Sequence, residues 1–96
     1  MSLPVRLRRV VQREYDEATD WYESRRTGLG VRFVAALQQA LQAIGEDRYP
    51  EVWPGGREAP VLGWPYCVYY QVHDDHVMVI AVFHSARDPS VWQSRA

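Results

Sequence analysis

Lysine is absent from this chain: all eleven of its cations are arginine. A guanidinium offers a planar fork of donors to carboxylate or phosphate, but it does not release its proton near neutrality. Acid–base chemistry would therefore fall to His, Glu, Asp or Tyr. A genome rich in arginine codons gives the same bias, so the bias alone assigns no function. Cysteine occurs once, at Cys67, which rules out an intrachain disulfide or a thiolate metal cage. Long apolar runs are missing as well. The longest, Val77 to Phe83, falls far short of the roughly 20 residues that a membrane helix needs. No amino-terminal stretch resembles a signal peptide, so a cytoplasmic address and no membrane partner are expected. Neither sign of charge dominates, since the net charge is −1. That balance excludes the broad basic surface of a non-specific nucleic-acid binder. Repeats and low-complexity stretches are also lacking.

What is present reads as one globular domain over residues 1–96, with 47% hydrophobic and 24% charged residues. A domain this small buries only about two-thirds of its unfolded surface, so a partner covering apolar area would matter to it. Leu3, Val5 and Leu7 alternate with Pro4, Arg6 and Arg8, the pattern of a short strand with one buried face. From about Val10 the period lengthens, and Val11, Tyr15, Ala18 and Tyr22 form a helical stripe. Carboxylates crowd the first half of that helix, with Arg25 and Arg26 at its end, an order that complements the helix dipole. Thr27-Gly28-Leu29-Gly30 breaks it. A second amphipathic helix starts near Leu29, with Phe33, Leu37, Ala40, Leu41 and Ile44 as its apolar side, and ends at Gly45 or Glu46-Asp47. The two make a helical hairpin whose seam needs a sheet to cover.

Residues 49–56 (YPEVWPGG) read as an irregular connector. Arg57 to Leu62 suits a short strand that Pro60 confines to an edge or a bulge. Tyr66 to His73 and His76 to His84 form the clearest β-hairpin, closed by Asp74-Asp75. A regular ladder from that turn pairs Tyr70 with Val79, Val68 with Ala81 and Tyr66 with Phe83 on the core face. Tyr69 with Ile80 and Cys67 with Val82 then fall on the opposite face, where His84 ends the strand. Asp88-Pro89 reads as the start of a short terminal helix carrying Val91 and Trp92. The fold class is α+β, ordered β-α-α-β-β-β. The helical hairpin packs on a small, mostly antiparallel sheet, and a short C-terminal helix follows.

Four phrases in fixed order carry a family resemblance. They are Asp20-Trp21-Tyr22-Glu23; Gly28-Leu29-Gly30 with Phe33; Trp64-Pro65-Tyr66-Cys67-Val68-Tyr69-Tyr70; and His84-Ser85-Ala86-Arg87-Asp88-Pro89 with Trp92. Together they span nearly the whole chain, which resembles the RelE/ParE superfamily of toxins, nearest its ParE-like (plasmid-stabilisation) subgroup. The resemblance implies the toxin component of a bacterial type II toxin–antitoxin module. Its partner would be a cognate antitoxin that silences it, in a hetero-oligomer. It implies no cofactor and no metal.

Two targets are open within that superfamily. One branch inhibits DNA gyrase by binding, and the other cuts messenger RNA on the ribosome. Ribonuclease action requires a base, a proton donor to the leaving oxygen and cations on the phosphate. Glu51 or Glu58, Arg57, His84 and Arg87 are the candidates for those roles. Under a binding mode Trp53, Trp64, Tyr69, Arg87 and Trp92 are the candidate contacts with target or antitoxin. Trp21, Tyr22, Tyr66 and Tyr70 are expected in the core, and His73 and His76 in solvent. The missing lysine and near-neutral charge favour the gyrase-binding mode. A third alternative is a non-toxic interaction module that kept the fold.

Overall fold

The computed structural model describes residues 2–46 and 49–87. The expected terminal helix beginning at Asp88, and Trp92 with it, lie outside the described residues. Strand β1 (Val5–Leu7) is followed by helices α1 (Arg9–Arg25) and α2 (Leu29–Glu46), then β2 (Glu51–Trp53), β3 (Gly56–Pro60), β4 (Tyr66–Val72) and β5 (Val77–His84). The five strands form one sheet in the order β1-β5-β4-β3-β2. Only β1 pairs in parallel, with Val5 opposite Val77, so the sheet is mixed but mostly antiparallel as expected.

Both helices lie on one face of this sheet, because each carries an apolar stripe that must be buried. Val11 and Ala18 of α1 meet Phe33, Leu37, Ala40 and Ile44 of α2 over Val68, Tyr70, Val77, Val79 and Val82 of the two central strands. The first turn of α1 holds no acidic residue, and Arg25 is the one basic residue of its last turn. Dipole complementarity therefore operates at one end of this helix only, contrary to the sequence reading.

The α1–α2 junction explains two of the phrases found in the sequence. Gly28 has φ +88°, a backbone conformation that costs an L side chain about 1–2 kcal/mol. The Glu23 carboxylate accepts the N–H groups of Gly28 and Gly30, each at 2.9 Å, so a residue of α1 caps the start of α2. A Cβ on Gly30 would stand 2.9 Å from Glu23 Oε1, so the cap needs a glycine there. Glu23→Ala is expected to cost about 1–2 kcal/mol, in line with the loss of an N-cap acceptor. For a domain of this size, that lowers the melting temperature by roughly 4–8 °C per kcal/mol, readable by circular dichroism. An unchanged melt would refute the capping role.

Two features differ from the sequence reading. The connector contains a strand: β2 pairs antiparallel with β3, Glu51 opposite Arg57 and Trp53 opposite Gly56. Strand β3 is therefore interior rather than an edge, and Pro60 is tolerated because it is the last residue of the strand. The larger difference is in the β4–β5 ladder. The two-residue turn closes as expected, His73 N–H donating to His76 O at 2.8 Å. Val72–Val77 and Tyr70–Val79 pair as the regular ladder requires. A bulge at Tyr69/Tyr70 then inserts one extra residue into β5, so the upper pairs become Tyr69–Ala81, Val68–Val82, Cys67–Phe83 and Tyr66–His84. Because side chains alternate, one added residue exchanges the faces of everything beyond it. Val82 enters the helix-side core, while Ala81 and Phe83 join Ile80 on the opposite face.

Candidate functional site

The bulge moves His84 to the helix side of the sheet, not to the open face expected from a regular strand. There it stands over Tyr66, with ring centroids 5.2 Å apart and planes at 77°. Strand β1 stops at Leu7, whereas β5 runs on to His84. The space left between α1 and the upper half of β5 opens as a groove of about 710 Å³. Glu14, Glu17, Ala18, Trp21 and Tyr22 line it from α1. Pro65, Tyr66, Val82, His84, Ala86 and Arg87 line it from the strand side.

The strand side is held by short local bonds. Ser85 N–H donates to Pro65 O at 2.9 Å, and Arg87 N–H donates to His84 O at 3.1 Å. Ala86 N–H donates to His84 Nδ1 at 3.0 Å, which leaves the proton of the neutral ring on Nε2. The Arg87 guanidinium lies 4.7 Å from the Phe83 ring centroid. Burial raises the Tyr66 hydroxyl above the usual tyrosine range, the nearby Tyr22 adds to the rise, and Arg87 opposes it. On the helix side the Glu14 carboxylate accepts the Val82 N–H at 3.4 Å, fastening α1 to β5. The groove floor continues into an aromatic cluster, with Tyr22 4.7 Å from Trp64 and 5.0 Å from Phe33.

His84 and Arg87 therefore meet in one groove, but Arg57 is not with them. It donates to Tyr49 O and lies 3.9 Å from Glu51 Oε1, bracing the chain that enters β2. Tyr49 N–H in turn donates to the Tyr70 hydroxyl at 3.3 Å. Arg57 pairs with Tyr70, and His84 pairs with Tyr66. Those partners lie four steps apart along β4, about 13 Å at roughly 3.3 Å per residue. Glu51 stands with Arg57. Glu58 points to the opposite face, opposite Tyr69.

That opposite face holds the remaining aromatic candidates. Trp53 and Tyr69 pack together, centroids 6.1 Å apart, against Ile80, Ala81 and Phe83. Gly56 makes this possible: a Cβ there would stand 1.7 Å from the Trp53 ring. Burial pushes the Cys67 thiol up to about 11, with a hydrogen bond to Glu58 adding to it, so the thiol is a poor nucleophile near neutrality. Burial and the Glu58 charge push the Tyr69 hydroxyl up to about 12. Trp64 is not on this face; it belongs to the helix-side cluster. The candidate contacts thus fall on two sides of the sheet, Trp53 and Tyr69 on one, Trp64 on the other.

At the hairpin tip, His73 and His76 stack at 4.7 Å, and His76 Nδ1 lies 2.7 Å from Asp75 Oδ1, which lowers the Asp75 carboxyl. Among the described residues no group of three or more His, Cys, Asp or Glu is placed to hold a metal ion. No helix there is long and apolar enough to cross a membrane. Sequence reasoning missed Glu14, Glu17 and Trp21. Trp21, expected in the core, is 52% exposed. Their helical spacing was the available signal: 14, 17 and 21 recur at three and four residues, beside the buried stripe rather than on it.

A model of the ParE toxin of the type II toxin–antitoxin system, parDE, matches residues 5–89. Seven chains of solved structure also match. One comes from a chromosomal ParDE TA system of P. aeruginosa, with a TM-score of 0.72 at 14% identity, covering 86% of this chain and 96% of that one. At such identity the likeness speaks for the fold. Comparison with curated protein sequences finds no match.

Proposed function

Because the chain belongs to the ParE toxin family of type II toxin–antitoxin systems, we propose that it is the toxin of such a pair, kept silent by a cognate antitoxin, and that it acts by binding DNA gyrase rather than by cutting RNA. The observation that carries the binding mode is the separation of the candidate ribonuclease groups. Arg57 is tied to Tyr49 and Glu51 at one end of the sheet, while His84 and Arg87 stand at the other. In-line cleavage needs base, acid and cation around one phosphate, within hydrogen-bond reach. The absence of lysine points the same way.

One arrangement favours the alternative, a ribosome-dependent endoribonuclease. His84 and Arg87 share the groove with Glu14 and Glu17, so an acid, a base and one cation are near one another without Arg57. Induced expression distinguishes the readings. The binding mode predicts growth arrest that persists in His84→Ala, with ribosome-bound messages intact, and relief by co-expressed antitoxin. Restored growth in folded His84→Ala and Arg87→Ala would support the ribonuclease. Normal growth with the unaltered chain would mark a non-toxic interaction module.

A further inference from the structure

Helix α2 breaks a local charge rule. Arg32 stands near its amino-terminal end and Glu46 is its last residue, so each charge meets the like-signed pole of the helix dipole. Neither has an ion-pair partner among the described residues. Between them α2 carries no charged side chain, although the chain as a whole is 24% charged. The outward residues there are Ala35, Gln38, Gln39 and Gln42, all exposed. Arg32, Ala35, Gln39, Gln42 and Glu46 recur at alternating three- and four-residue steps, the spacing of a seam between two helices. Beside that stripe Leu62 is 78% exposed and shares a hollow with Ala36, Gln39 and Ala43.

We propose that this face of α2 docks a second copy of the chain, as an antiparallel α2–α2 pair about a twofold axis at Gln39. Arg32 and Glu46 lie seven residues, close to two helical turns, on either side of Gln39. The axis therefore sets Arg32 of each copy opposite Glu46 of the other, at both ends of the seam. Sign selects this arrangement, because a parallel pair would set Arg32 against Arg32 and Glu46 against Glu46. The middle of the seam fits as well. A glutamine amide carries both donor and acceptor, so Gln39 can pair with its own copy across the axis, which a carboxylate or a guanidinium cannot do. The same twofold keeps the Leu62 side of both helices together, so the two exposed leucines meet beside the seam. A crossing angle of about 20° holds the helices in register out to Arg32 and Glu46. The charge order that α2 alone disfavours is thus matched by the second copy. One helix face is a small footprint, so the dimer is expected to be weak, with a dissociation constant on the order of 10 µM. The dimer does not depend on the toxin reading given above.

Sedimentation velocity on the purified full chain, over about 1 µM to 1 mM, is the test. The mass should rise from monomer to dimer across that range. Arg32→Glu and Glu46→Arg each bring like charges together twice per dimer, and each should weaken it by about tenfold. Combining the two reversals restores opposite charges at both ends, and should return the dissociation constant to within about threefold of the unaltered chain. Gln39→Glu sets two carboxylates on the axis and should weaken the dimer independently of the ends. Both end reversals suit the dipole of α2, so circular dichroism should show a fold at least as stable as the unaltered one. Loss of the dimer then reports on the seam and not on unfolding. A chain that stays monomeric at about 1 mM would overturn the proposal, whatever other partner this face then takes. A dimer that neither reversal weakens, or that the combined reversal fails to restore, would overturn it equally.

Discussion

Phe33→Ala is expected to cost about 3–5 kcal/mol of folding stability, the range for removing a buried aromatic from a packed core. Phe33 is fully buried. Its ring lies 5.0 Å from Tyr22, 5.2 Å from Trp64 and 5.2 Å from Tyr66, in tilted and edge-on arrangements. One ring thus joins α1, α2 and the entry to β4, and removing it leaves a cavity beneath the groove. A chain of this length has about 5–14 kcal/mol of total stability at typical per-residue values, so the loss takes a large share of it. Urea unfolding followed by circular dichroism reads the change as a lower midpoint. A loss below about 1 kcal/mol would mean the cluster is not packed as described.

Gly56→Val is expected to be the most damaging change on the opposite face. A Cβ at this position would lie 1.7 Å from Trp53 Cε2 and 2.0 Å from Cζ2, closer than any side chain tolerates. The Trp53 ring must then leave Tyr69 and the Ile80–Phe83 patch, at a cost of about 2–4 kcal/mol from lost aromatic contact and forced repacking. A double-mutant cycle isolates the cause. In a Trp53→Ala background the same Gly56→Val change should cost much less, because the clash has gone. Equal costs in both backgrounds would show that Gly56 serves some other purpose.

Much of the fold was legible in the sequence, for physical reasons that also mark where legibility stopped. The helices announced themselves through stripes of three and four residues, and Gly28 and Gly30 through the turn they permit. The hairpin turn at Asp74-Asp75 fixed the pairing of the first few residues of β4 and β5. The bulge left no comparable mark, because Ile80, Ala81, Val82 and Phe83 are all apolar and suit either face. His84 was therefore assigned to the open side, and its place in the α1 groove emerged only from the structure. Strand β2 was hidden by its neighbours: Pro50, Pro54 and two glycines flank only three strand residues, Glu51–Trp53. Arg57 was recognisable as a candidate cation, but its engagement with Tyr49 depends on β2 existing. Trp21 was misplaced because a tryptophan on an amphipathic helix reads as core; one helical step moves it beside the stripe and out to solvent.

The bulge also shapes the groove. Without the extra residue in β5, His84 would face the Trp53–Tyr69 side and Val82 would leave the helix-side core. The groove would then lose Val82 from its lining, and its histidine with it. The shape of the groove thus arises from a one-residue irregularity in an otherwise regular hairpin.

Gyrase itself provides the most direct test of the central claim. Relaxed plasmid, ATP and DNA gyrase are incubated with the purified chain, and the products are resolved after protein denaturation. The binding reading predicts loss of supercoiling with accumulation of cleaved plasmid, abolished by prior addition of the antitoxin. Undiminished supercoiling, alongside cutting of ribosome-bound messages by the same preparation, would contradict it.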